Sequence, residues 1–143
     1  MSDAFSLDPR LEGDSVPLAE LALCTVRVMK DARFPWVLMV PRKAGLAEII
    51  DLDAAERAVL IEEIAAVSSA LRTVTGCDKL NVGALGNVVR QLHVHVVARF
   101  EGDAAWDGPV WGSGAAVAYE PGEREKLAEA LLSELRVAGV VSA

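Results

Sequence analysis

Several residue types are scarce in this chain, and each scarcity narrows what it can be. Its two cysteines, Cys24 and Cys77, form no Cys-x-x-Cys pair, which excludes a thiolate zinc ribbon and a disulfide scaffold. Two reduced, mostly buried thiols and the lack of a secretory leader point to a cytoplasmic protein. No apolar run is long enough to span a bilayer, so no membrane partner is expected. Basic side chains are outnumbered, 14 Lys and Arg against 21 Asp and Glu for a net charge of -7, and nowhere do they cluster. Such a surface repels a phosphate backbone, so nucleic acid is not expected as a partner, and a smaller phosphate ligand must be met by local donors. Histidine is rarer still, with two in 143 residues.

Apolar residues, by contrast, make up 52% of the chain. That content lets one domain over residues 1–143 bury a core without metal or disulfide staples.

Both histidines fall within Asn87-Val-Val-Arg-Gln-Leu-His-Val-His-Val-Val-Ala-Arg-Phe100, two residues apart. The valines favour a strand over about 88–100, where alternation puts Gln91, His93 and His95 on one face and Leu92, Val94 and Val96 on the other. Side chains along one strand face stand roughly 6.6 Å apart. Two imidazoles and an amide can therefore line an elongated polar ligand such as a chain of phosphates.

Around this stretch the pattern alternates between strand and helix. Ser6 or Asp8 can cap a short helix with Pro9 in its first turn. Residues 18–29 and 36–40 read as strands joined by the turn Lys30–Pro35, and 78–85 as a strand that pairs with the histidine strand through a connection at Gly86-Asn87. Leu60, Ile64, Val67, Leu71 and Val74 repeat at alternating spacings of four and three, which predicts a long amphipathic helix over 53–73 with Asp51 or Asp53 at its start and Gly76 past its end. Glu62 and Glu63 read as its solvated face. Leu127, Ala130, Leu131 and Leu135 mark a second helix over 123–137. In the segment between, Trp106 and Trp111 can fold over the site to stack on a base, but packing across the sheet end explains them equally well and is the favoured reading.

Gln91-Leu-His93-Val-His95-Val-Val resembles the signature of the histidine triad (HIT) family, in which three histidines alternate with apolar residues; here glutamine stands at the first position. Asn81-Val-Gly83-Ala-Leu-Gly86-Asn87 is similar to the family's Gly-rich approach to that strand. Arg99 falls where many members carry Pro-Arg, and Trp36 where the family commonly has histidine. The likeness runs from about Phe5 to Phe100 and is sharpest over 78–100; residues 101–143 read as an extension.

The resemblance implies an α+β fold, with a meander of about five antiparallel strands packed with one long helix and a C-terminal helix. It also implies a homodimer and a purine nucleotide or nucleotide conjugate as ligand. His93 then attacks the α-phosphorus of a nucleoside phosphoramidate or dinucleoside polyphosphate, forming a nucleotidyl-histidine that water hydrolyses, while His95 holds a phosphate oxygen. Asn81 and Asn87 add neutral donors, and Gly83 and Gly86 let backbone approach phosphate, though glycines there also simply relieve turn geometry. Asp31 takes the ribose hydroxyls by the same resemblance, against the plainer reading that it caps turn amides. An amide at Gln91 keeps hydrogen bonding but cannot shuttle a proton, so binding should survive better than turnover.

The scheme requires no cofactor and no metal. Two other classes stand beside it: a nucleotide-binding sensor with little catalysis, and a metal site on His93-Val-His95, which lacks an obvious third ligand.

Overall fold

The computed structural model describes residues 4–141. Its sheet has five strands, β1 (Ser15–Glu20), β2 (Cys24–Met29), β3 (Trp36–Pro41), β4 (Lys79–Gly83) and β5 (Val94–Arg99), flanked by α1 (Pro9–Gly13), α2 (Ala54–Thr75) and α3 (Glu123–Val137). All neighbouring strands pair antiparallel, in the order β1-β2-β3-β5-β4. The first three strands follow one another as a meander. After the α2 crossover the last two enter in reverse, so β5 lies between β3 and β4.

The single strand expected over 18–29 is instead two, with a sharp turn at residues 21–23. Helix α2 makes that turn possible. Glu63 on α2, 6% exposed, accepts the N–H groups of Leu23 at 2.8 Å and Cys24 at 2.9 Å. The reading of Glu63 as a solvated charge is thereby corrected: helical periodicity marks it as an interruption of the apolar stripe, and only the facing turn reveals two buried donors in need of an acceptor.

The predicted helices hold. Asp53 and Glu56 close a capping box at the start of α2, at 2.8 and 2.9 Å, and Gly76 ends it at φ 65°, a left-handed conformation that glycine adopts without a Cβ penalty. Asp8 caps α1 with Pro9 in its first turn. Leu60, Val67 and Leu71 of α2 and Leu131 and Leu135 of α3 join Val94, Val96 and Ala98 in one core on a single sheet face. Trp36, Leu38, Val97 and Arg99 belong to the opposite face with His95, where two smaller apolar clusters form.

The histidine strand is shorter than expected, because β5 begins at Val94 and residues 84–93 form an open connection rather than a tight hairpin turn. Gln91 and His93 thus sit on a loop leading into the strand. No helix among the described residues is long and apolar enough to cross a membrane.

Glu63→Ala should strip two N–H groups of their acceptor and cost about 2–4 kcal/mol of stability. Urea unfolding monitored by circular dichroism checks this; a loss below about 0.5 kcal/mol, the range of ordinary surface changes, would show that water replaces the carboxylate.

Candidate active site

The pairing of β3 with β5 sets Leu38 opposite His95 and Trp36 opposite Val97. On that shared face the indole N–H of Trp36 donates to Nδ1 of His95 at 2.9 Å. An indole nitrogen only donates, so Nδ1 of His95 carries the lone pair and the proton resides on Nε2. His93 is fixed in the opposite sense. Its Nδ1 lies 2.6 Å from the carbonyl oxygen of Gln91, which only accepts, so the proton is on Nδ1 and the lone pair on Nε2. The two rings lie 5.0 Å apart at 73°. One offers a nucleophilic nitrogen, its neighbour a neutral N–H donor.

Both histidines line a cleft of about 520 Å³ together with Leu11, Met29, Asp31, Leu38, Asn87 and Trp111, among others. That volume suits a nucleotide-sized ligand. Trp111 lies edge-on to His95 at 5.3 Å, and its indole N–H is buried without a partner among the described residues. The room for it comes from Gly83, where a Cβ would stand 3.0 Å from the ring. Gly83 therefore admits an aromatic ring at the cleft wall. Neither tryptophan lies within the histidine motif, so the sequence favours packing for Trp111 and does not mark Trp36 as a site residue. The apolar alternation of β3 with a tryptophan at its head was the available signal for Trp36.

Of the other expected site residues, Asn87 lines the cleft, exposed, and no hydrogen bond engages its amide among the described residues. Asp31 also lines the cleft, 4% exposed, yet it accepts from Arg33 Nη2 at 2.8 Å and from the backbone N–H of Arg33 and Val117 at 3.1 and 3.3 Å. Burial pushes its pKa up, but the hydrogen bonds from Arg33 and the backbone outweigh this and hold it below the ordinary value. It braces the Lys30–Pro35 turn against residue 117, as the turn-capping reading has it.

Asn81 and Arg99 do not line the cleft. Arg99, 1% exposed, gives Nη1 to Asn81 Oδ1 and to the Gly108 carbonyl, both at 2.8 Å, and pairs with both oxygens of Asp103 at 2.8 Å. A buried guanidinium needs a full set of acceptors, and Asn81 is one of them. The pair anchors the segment after β5, with the faces of Phe34 and Trp106 at 5.5 and 5.7 Å from the guanidinium.

Gln91 also turns away from the cleft. Its Oε1 accepts the N–H of Asp8 and its Nε2 donates to the carbonyl of Ser6, both at 2.8 Å. Its side chain is spent on the N-terminal arm, while its backbone serves His93. Among the described residues no group of three or more His, Cys, Asp or Glu side chains is disposed to hold a metal ion.

Burial, and secondarily the charge of His93, push the pKa of His95 from 6.5 down to about 4. An unfolded imidazole titrates at its ordinary value, so between those limits the unfolded chain binds the extra proton and stability is lost as pH falls. The full shift corresponds to about 3 kcal/mol. The arginine-held carboxylates of Asp31 and Asp103 lose their contribution only from about 3.8 downward. Urea midpoints should fall between about pH 6.5 and 4, and fall less in His95→Gln; equal slopes in both proteins would place the titration elsewhere.

The HIT domain family matches residues 10–102. A histidine triad protein from Bradyrhizobium japonicum is 48% identical with a TM-score of 0.91, the match covering 93% of this chain and 99% of that one. For a histidine triad protein from Sinorhizobium meliloti the identity is 45%, the TM-score 0.89 and the coverage 91% and 96%. A third, from Marinobacter aquaeolei, stands at 40%, 0.90, 94% and 98%. No match is found among curated proteins. With the family matched over most of the chain and whole-length likeness to these structures, the protein belongs to the HIT family, whose members are generally nucleotide-binding hydrolases and transferases.

Proposed function

We propose that this protein is a nucleotide hydrolase or nucleotidyl transferase that acts at the α-phosphate of a nucleoside phosphoramidate or dinucleoside polyphosphate. The observation that carries this reading is the opposed Nδ1 partners of His93 and His95, a carbonyl for one and an indole N–H for the other, side by side at the wall of one nucleotide-sized cleft. In the first step Nε2 of His93 bonds to phosphorus as the bond to the leaving group breaks. The leaving group takes the bonding pair and draws its proton from solvent. The imidazole, now bonded at Nε2 and still protonated at Nδ1, bears a positive charge that the Gln91 carbonyl stabilises through that N–H. Water then adds to phosphorus, its proton passes to solvent, and the N–P bond breaks to return the pair to Nε2. His95, kept neutral by burial, donates Nε2–H to a non-bridging oxygen, where fixed dipoles stabilise developing charge best.

In this reading Gln91 stands in place of the first histidine of the triad, and Asn87 supplies a further donor. Leu11, Met29 and Trp111 supply an apolar wall for a purine base. Chain and site work as one domain in a reducing cytoplasmic setting, which suits the free thiols of Cys24 and Cys77. A homodimer is part of the proposal: β4 is an outer strand with Val82 48% exposed, and Val59 and Ile61 on α2 are 40% and 58% exposed. One observation favours the sensor alternative. The Gln91 amide is committed to the arm, so no side chain at that position is available to protonate a leaving group.

His93→Ala should lower turnover by at least about 1,000-fold while nucleotide affinity stays within roughly fivefold, because it removes the covalent step and one of several phosphate contacts. Hydrolysis assays on adenosine phosphoramidates and dinucleoside polyphosphates, with calorimetric binding, check both. An active His93→Ala would end the covalent mechanism, and a wild type that binds but never turns over would leave the sensor. Sedimentation should give a dimer at micromolar concentration; a monomer there would count against the assembly.

A further inference from the structure

Gln91 is the point at which three parts of the molecule are tied together. Its side-chain amide bonds the extended segment before α1 at two places, accepting from Asp8 and donating to Ser6, each at 2.8 Å, much as a neighbouring strand would. Its carbonyl meets Nδ1 of His93 at 2.6 Å, and the N–H of the same peptide unit, on Leu92, donates to the Leu46 carbonyl at 3.0 Å. No ladder holds this peptide, because β5 begins only at Val94. The arm is itself well seated: Leu11 is buried with Leu38, Val40 and Val89, and Phe5 and Leu7 pack against that cluster.

We propose that Gln91 is a positioning residue for His93, tying the docked N-terminal arm to the loop before β5 so that its own carbonyl keeps the proton of His93 on Nδ1. The amide at this position therefore makes a contact that a histidine cannot reproduce, since one imidazole cannot both accept from Asp8 and donate to Ser6 across a single peptide-like edge. An acceptor at Nδ1 of His93 favours the tautomer that leaves the lone pair on Nε2, and that acceptor is as well placed as the peptide that carries it. The consequence for turnover rests on the role of His93 proposed above; the consequence for the tautomer does not.

The chain has only two histidines, so nitrogen spectra of the full chain labelled with ¹⁵N-histidine read both tautomers directly. In the wild type at neutral pH, His93 should show its protonated nitrogen at Nδ1 and His95 at Nε2. In Gln91→Met, close in size but without either hydrogen bond, His93 should shift to a mixture of tautomers while His95, held by Trp36, is unchanged. Gln91→Glu keeps the acceptor for Asp8 but sets an oxygen against the Ser6 carbonyl, and should give a smaller shift in the same direction; it serves if Gln91→Met does not fold. Turnover should fall about tenfold in kcat with KM changed less, as loss of aligned geometry predicts. A His93 that stays wholly Nδ1-protonated in a folded variant overturns the proposal. If the tautomer shifts but no variant or wild type shows turnover, the positioning role stands and the hydrolase reading alone falls.

Discussion

The seating of β5 between β3 and β4 is the constraint on which the site depends. Only in the β3–β5 register does Trp36 reach His95, and only because the β4–β5 register sets Gly83 opposite His95 is there room for Trp111 beside the same ring. The chain secures that central place with Val94, Val96 and Ala98, which commit one face of β5 to the α2 core. A slip by one residue would exchange valines for histidines on the core face, so hydrophobic burial and site geometry are enforced by the same alternation.

The two imidazoles illustrate how neighbouring groups of one type can be given different roles by their hydrogen-bond partners. Each has its Nδ1 satisfied by a partner of fixed character, a donor-only indole for His95 and an acceptor-only carbonyl for His93. Their Nε2 atoms are left with opposite roles. Burial reinforces this by disfavouring the charged form of His95, so its ring stays neutral across the ordinary pH range.

Around this pair, several polar residues that resemble ligand contacts are structural. Arg99, Asn81 and Asp103 form a satisfied buried network that fastens the segment after β5, and Asp31 with Arg33 fastens the segment ending at residue 117. Both fasteners hold the stretch that brings Trp111 over the cleft. Truncating either exposes unpaired buried charge, which costs more than the pair contributes.

Local signals in the sequence determined most of the elements: helix α2 by periodicity, its capping box and its terminal glycine, α3 by its leucines, and the face shared by His95 apart from Val94 and Val96 by strand alternation. The closeness of the two histidines, and the family resemblance around them, were legible for the same reason, since residues two apart in sequence need no distant partner to define their relation. The tertiary structure alone decided the partners of the polar groups. Glu63 proved to be the acceptor for a turn forty residues away, Gln91 a clamp for an arm more than eighty residues away, and Trp36 the residue that fixes the proton on His95. Hydrogen-bond partners are chosen by proximity in the folded chain, and a sequence displays the capacity of each group to donate or accept without displaying which group will stand 2.8 Å away.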